Sequence, residues 1–203
     1  MYRVLSILLA LLFAAAVVHP ATMPKMRPYS GQGVVELSLA APEGGDAARV
    51  FALYQEPGIG RQEELQSTRA PFMEWIFKRT ASHVPLLVMA RKGNWLKVVY
   101  DEAGREAWLN PGRRGRYLPW ESYLRHQGGR LLPGLRKQYY QLCAQPGKAP
   151  VATLTPKQLF RMLKVDTDWA LVAVDQSTLG WLRWRDEDSR LLVSLEATDA
   201  QNR

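Results

Sequence analysis

The chain of 203 residues has one cysteine, Cys143, and three histidines. A single thiol cannot form an intrachain disulfide, so the fold must rest on its apolar core. His19, His83 and His126 do not pair at metal-ligand spacing and have no Cys cluster beside them, which argues against a zinc or copper site. A phosphate loop is also missing: Gly31-Gln32-Gly33 and Gly58-Ile59-Gly60 are too short and lack a strand-to-helix context. Long apolar runs are absent except for Val4 to Val18, which is broken only by Ser6. It is short of the roughly 20 residues a membrane span needs.

With Arg3 ahead of that run and His19, Pro20, Thr22, Pro24 and Lys25 behind it, residues 1–22 read as a secretory signal. Ala14 and Ala16 meet the small-residue rule for cleavage deep in the run, but His19 spoils it at Ala21, so an uncleaved anchor over 4–18 stays open. A lipid-modified N-terminus would need a cysteine at the end of the signal. The expected location is therefore periplasm or cell surface.

Acidic charge is the scarce sign, and the formal net charge is +8. That sign favours anionic partners. The excess is concentrated between Arg113 and Lys137, where Arg113, Arg114, Arg116, Arg125, Arg130, Arg136 and Lys137 face Glu121 alone. Charge runs usually keep linkers wet, so residues 119–137 are expected to form a basic connector. The sharper alternative is a contact for an anionic envelope polymer or lipid headgroups.

What is present is a pattern that occurs twice. Phe51-Ala52-Leu53-Tyr54-Gln55-Glu56-Pro57-Gly58 matches Tyr140-Gln141-Leu142-Cys143-Ala144-Gln145-Pro146-Gly147. Asn94-Trp95-Leu96-Lys97-Val98-Val99-Tyr100-Asp101 matches Asp168-Trp169-Ala170-Leu171-Val172-Ala173-Val174-Asp175, and Ala107-Trp108-Leu109 matches Gly180-Trp181-Leu182. Each copy reads as an antiparallel meander, with turns at 101–104 and 175–178. Strand alternation puts Leu96, Val98 and Tyr100 on one face with Ala170, Val172 and Val174, the expected core. Trp95, Lys97 and Val99 fall on the other face, and Trp169 with them. An aromatic there is a lid over the core or a platform for a ligand.

These blocks resemble the bacterial SH3-like domain family, whose usual core reads Gly-Trp-x-Lys-Val, a polar turn, then Gly-Trp-Val. The resemblance implies an all-β fold of two tandem SH3-like small β-barrels: repeat 1 at 34–118, the connector, and repeat 2 at 138–196. Repeat 1 carries an insertion near 71–80, rich in aromatics, which either plugs its barrel or docks elsewhere. In that family the domain usually binds while another part does the chemistry. Ala52-Leu53-Tyr54 and Leu118 to Leu124 also echo the proline-recognition groove of eukaryotic SH3 domains, but Cys143 replaces Tyr54 in the second copy, so that function is not carried over.

Catalytic groups are sparse. Cys143 replaces Tyr54 in a repeated strand and reads as a small buried hydrophobe. Glu63 and Glu64, and Asp186, Glu187 and Asp188, lie in polar runs and read as solvated charge. The expectation is an exported non-enzymatic module without cofactor or metal, binding an envelope polymer or an envelope protein. Its candidate ligand residues are Trp95, Trp169, Trp108, Trp181 and Tyr54, with Arg113, Arg114 and Arg116 for an anionic surface. A nucleic-acid binder using basic grooves and aromatic stacking, or an accessory factor of an envelope hydrolase, is the alternative. A small-molecule substrate is not indicated.

Overall fold

The computed structural model describes residues 26–39, 50–66, 73–77, 83–175 and 177–196. The signal expected over 1–22 and both flanks of the 71–80 insertion lie outside the described residues. The chain is all-β, with two seven-stranded antiparallel sheets and one short α-helix among the described residues.

The first sheet is built from β1 (Gly33–Ser38), β2 (Val50–Glu56), β3 (Ile59–Gln66), β4 (His83–Lys92), β5 (Trp95–Val99), β6 (Glu106–Leu109) and β7 (Gly115–Pro119). The helix α1 (Trp120–Leu124) follows. The second sheet holds β8 (Gly128–Leu131), β9 (Gln141–Cys143), β10 (Pro150–Thr153), β11 (Phe160–Asp166), β12 (Trp169–Ala173), β13 (Leu179–Arg183) and β14 (Val193–Leu195). The spatial order is β3-β2-β6-β5-β4-β1-β7 in one and β10-β9-β13-β12-β11-β8-β14 in the other. Adding seven to each strand of the first order gives the second. A β-bulge also falls at matching places, between Val88 and Ala90 in β4 and between Met162 and Lys164 in β11.

Local chemistry explains the hairpins. Asp101 accepts the backbone N–H of Arg105 at 2.8 Å, and Asp175 accepts those of Ser177 at 2.8 Å and Thr178 at 2.7 Å, so an aspartate closes the turn in each sheet. Strand alternation then sends Leu96, Val98, Ala170 and Val172 into the cores, fully or almost fully buried. Tyr100 and Val174, at the strand ends, are half-buried.

The all-β architecture in two units is as expected, with seven strands to each sheet, and among the described residues the first and last strands of neither sheet pair with each other. One expectation is corrected. Residues 119–137 are not a solvated connector. They carry α1, whose Trp120, Tyr123 and Leu124 are buried, and β8, which pairs with both β11 and β14.

The two units are not separate bodies of core. Val35, Leu37, Phe51, Leu53, Val88, Leu96 and Val98 fill the interior of the first. The opposite face of that sheet, at Val34, Leu87 and Val99, belongs instead to the apolar cluster that fills the second unit, with α1 wedged between. Ile76 and Phe77 of the insertion join it. Phe77 stacks on Trp120 at 6.4 Å between ring centroids, and the carbonyl of Ile76 accepts the Leu195 N–H of β14 at 2.7 Å. The described part of the insertion is thus a docking element for the second unit, not a plug of the first.

A groove between the two units

Residues 26–30 form a strap that precedes β1 in the chain but fastens to the far unit. Pro28 accepts the N–H of Leu191 at 3.0 Å, and Ser30 donates its N–H to Ser189 at 2.7 Å. Arg27 donates to the Asp186 carboxylate at 2.7 Å, while Arg190 donates to the Arg27 carbonyl at 2.7 Å and lies 4.1 Å over the Tyr29 ring. The Trp120 indole N–H donates to the Ser30 carbonyl at 2.9 Å, tying α1 to the same strap.

Asp186 is therefore not the solvated loop carboxylate expected from its run. It is buried, and it accepts the backbone N–H groups of Arg190 at 2.8 Å and Asp188 at 3.1 Å besides Arg27. Burial pushes its carboxyl up, but those N–H donors and the Arg27 guanidinium outweigh that and hold it below the usual carboxylate value.

Strap, insertion and first sheet together enclose a groove of about 380 Å³. Its floor is apolar: Met89 of β4, Val99 of β5, and Met73 and Trp75 of the insertion. Met26, Arg27, Pro28 and Tyr29 of the strap, the turn at Glu102 to Gly104, Glu106 and Arg190 complete the lining. Met26 and Tyr29 remain well exposed although apolar. A concave, mainly apolar cleft at the junction of two units is the usual form of a ligand site.

The residues singled out from sequence lie elsewhere. Tyr54, Trp108 and Lys97 form one row across β2, β6 and β5, and Cys143, Trp181 and Leu171 form the matching row across β9, β13 and β12. Trp95 packs edge-on against Tyr54 at 5.2 Å. Trp108 is buried. Trp169 sits under the Arg183 guanidinium at 5.4 Å, and Lys164 lies 5.9 Å over Trp181. Both rows are thus partly covered, and neither joins the groove. Arg113 is exposed. Arg114 donates to the Val50 carbonyl at 3.3 Å and lies 4.7 Å over Phe51, and Arg116 pairs with Glu36 at 3.0 Å. Burial also pushes the Cys143 thiol up, away from the thiolate a nucleophile needs.

Sequence reasoning missed the strap, Met89 and Glu102. Met73 and Trp75 lie in the insertion it singled out, whose destination was not legible.

No family model matches the chain, and no curated protein matches it. Among solved structures, NlpC2 from Trichomonas vaginalis superposes on 87% of this chain and 52% of its own at 8% sequence identity, with a TM-score of 0.33. The chain spans about half the length of that protein. A likeness this loose assigns neither family nor activity.

Proposed function

We propose that the chain is an exported, non-catalytic binding module of the cell envelope, with SH3-like units, whose ligand site is the groove between them. The observation that carries this reading is the groove itself, apolar in its floor and walled by parts fastened to both units. Three methionines in its lining suit a surface that adapts to its ligand, because an unbranched thioether chain repacks at little cost. Export rests on Arg3 and the run from Val4 to Val18.

The acid-base groups that could suggest an enzyme serve the fold. Asp186 holds the strap, and Glu187 accepts the Tyr139 hydroxyl at 2.6 Å and pairs with Arg183. The apolar floor offers few groups to hydrogen-bond a polysaccharide. An envelope protein is therefore the better-matched partner of the two expected classes.

The test places a photo-crosslinking amino acid at Met89, at Trp95 or at Trp169 of the full chain, produced in a bacterium. A covalent adduct from position 89 in the envelope fraction is expected. Adducts from 95 and 169 with none from 89 would return the site to the outer-face aromatics.

A further inference from the structure

We propose that the groove takes an apolar peptide segment carrying one basic and one acidic side chain, the first met by Glu102 and the second by Arg190; this rests on the groove reading above. The ion pairs of the lining leave those two charges over. Arg27 pairs with Asp186, and Glu106 pairs with Lys97 at 2.9 Å. Behind the rim, Asp101 is taken by Arg105. Among the described residues, Glu102 and Arg190 form no ion pair, either with each other or with a third group. Arg190 donates to the Arg27 carbonyl and, at 2.9 Å, to the Tyr29 hydroxyl, but these are neutral oxygens and leave its charge in place. A guanidinium has five N–H donors, so donors remain for a carboxylate. Glu74 and Asp188 are exposed close by in the chain and take no part in the lining.

The two free charges come from different units, Glu102 from the turn after β5 and Arg190 from the connection before β14, and one groove holds both beside its apolar floor. An occupant with charge of a single sign would meet one attraction and one repulsion there. A segment with one charge of each sign is attracted at both points, while its apolar residues cover Met73, Trp75, Met89 and Val99. At about 380 Å³ the groove is near the lower end of the roughly 300–1,000 Å³ that ligand pockets span, so it takes a few side chains rather than a folded domain.

The experiment uses the full chain in nanodiscs of zwitterionic lipid, with methyl-labelled methionine. Met73 and Met89 report on the groove, and Met162, fully buried in the second core, is the internal control. The probes are terminally blocked pentapeptides X-Leu-Phe-Leu-Z with lysine, glutamine or glutamate at X and at Z, so both orders of charge are covered. The Met73 and Met89 methyl signals should shift while Met162 stays. One order of the lysine–glutamate peptide should bind about tenfold more tightly than the glutamine–glutamine peptide, as two exposed attractions of about threefold each combine. Glu102→Gln should remove the gain from lysine and leave the gain from glutamate. Arg190→Gln should do the reverse, read as the ratio of each glutamate peptide to its glutamine counterpart, since any loosening of the strap weakens both alike.

Equal affinity for the lysine–glutamate and glutamine–glutamine peptides, with groove methyls shifting, would overturn the paired-charge preference and leave the groove standing. Tightest binding by a doubly basic or a doubly acidic peptide would overturn it in favour of an occupant of one sign. Tighter binding of dihexanoylphosphatidylethanolamine at the same methyls would overturn it in favour of a lipid headgroup. If no probe moved Met73 or Met89, the groove reading itself would fall, and this inference with it.

Discussion

The two units share one strand order yet present opposite outer faces, and the difference shows how a repeated fold can become an interface. The ladders align Val34 with Leu87 in the first unit and Gly128 with Arg161 in the second. Measured from the paired residues Val88–Val98 and Met162–Val172, Val99 of the first unit corresponds to Ala173 of the second. Val34, Leu87 and Val99 are buried against the partner unit, whereas Arg161 is exposed and Ala173 half-buried. Apolar residues at three outward positions turn one sheet into a docking face. Glycine, arginine and alanine leave the other open.

Writing one unit's residue into the other should break the comparison hardest at that face. Leu87→Arg installs the charge of Arg161 where the first unit is dry, and should cost roughly 3–5 kcal/mol in urea unfolding as a buried charge without a partner. The reverse exchange, Arg161→Leu, should stay within about 0.5 kcal/mol. Similar losses for both would mean that the faces are equivalent.

The strap is the next difference. It fastens to the 184–192 connection of the second unit, whereas the matching connection of the first, 110–114, holds a short 3-10 turn at Gly112–Arg114. Asp186→Ala should cost about 3 kcal/mol, since it strands Arg27 and two backbone N–H groups. Because folding depresses this carboxyl, its contribution is full above the ordinary value of 3.8 and lost as pH falls through the lower folded value. Wild-type stability should therefore drop more than that of Asp186→Ala in that acid window. Parallel pH profiles would remove Asp186 as the clasp.

Inside the cores, Ala107 and Gly180 face Val98 and Val172 at matching points. A Cβ added at Gly180 would lie 2.4 Å from Cγ of Leu142. Gly180→Ala should cost about 2 kcal/mol by overpacking, and Ala107→Gly about 1 kcal/mol or less. A stabilised Gly180→Ala would show that the second core has slack at this point.

The smallest difference lies in the turns that precede the tryptophan strands. Gly93 occupies a left-handed conformation at φ +58°, and Thr167 holds the same one at φ +49° despite its branched side chain. Thr167→Gly should raise the melting temperature by relieving about 1 kcal/mol of backbone strain, whereas Gly93→Thr should lower it. No gain from Thr167→Gly would mean that its surroundings already compensate for the strain.

The parts legible in the sequence were those whose own residues decide their state. Trp95-Leu96-Lys97-Val98-Val99 and Trp169-Ala170-Leu171-Val172-Ala173 alternate as half-buried strands do, and Asp101 and Asp175 mark their turns. β8 was not legible, because Gly-Gly-Arg-Leu has little strand preference and is held by β11 and β14 on either side. α1 was hidden by the arginines around it, which masked the apolar side of Trp120, Tyr123 and Leu124. The groove could not be read at all, since its lining comes from the strap, the insertion, three parts of the first sheet and Arg190, which only the fold brings together.

Docking of the first unit on the second is tested most directly by hydrogen exchange at the Leu195 amide, which donates to the Ile76 carbonyl across the junction. If the apolar cluster of the second unit takes in the outer face of the first sheet, this amide should open with the same free energy as the amide of Val172, since both are released only when that cluster unfolds. Exchange of Leu195 near the unprotected rate, while Val98 and Val172 stay protected, would show that the units part without unfolding and that the groove is not a built site.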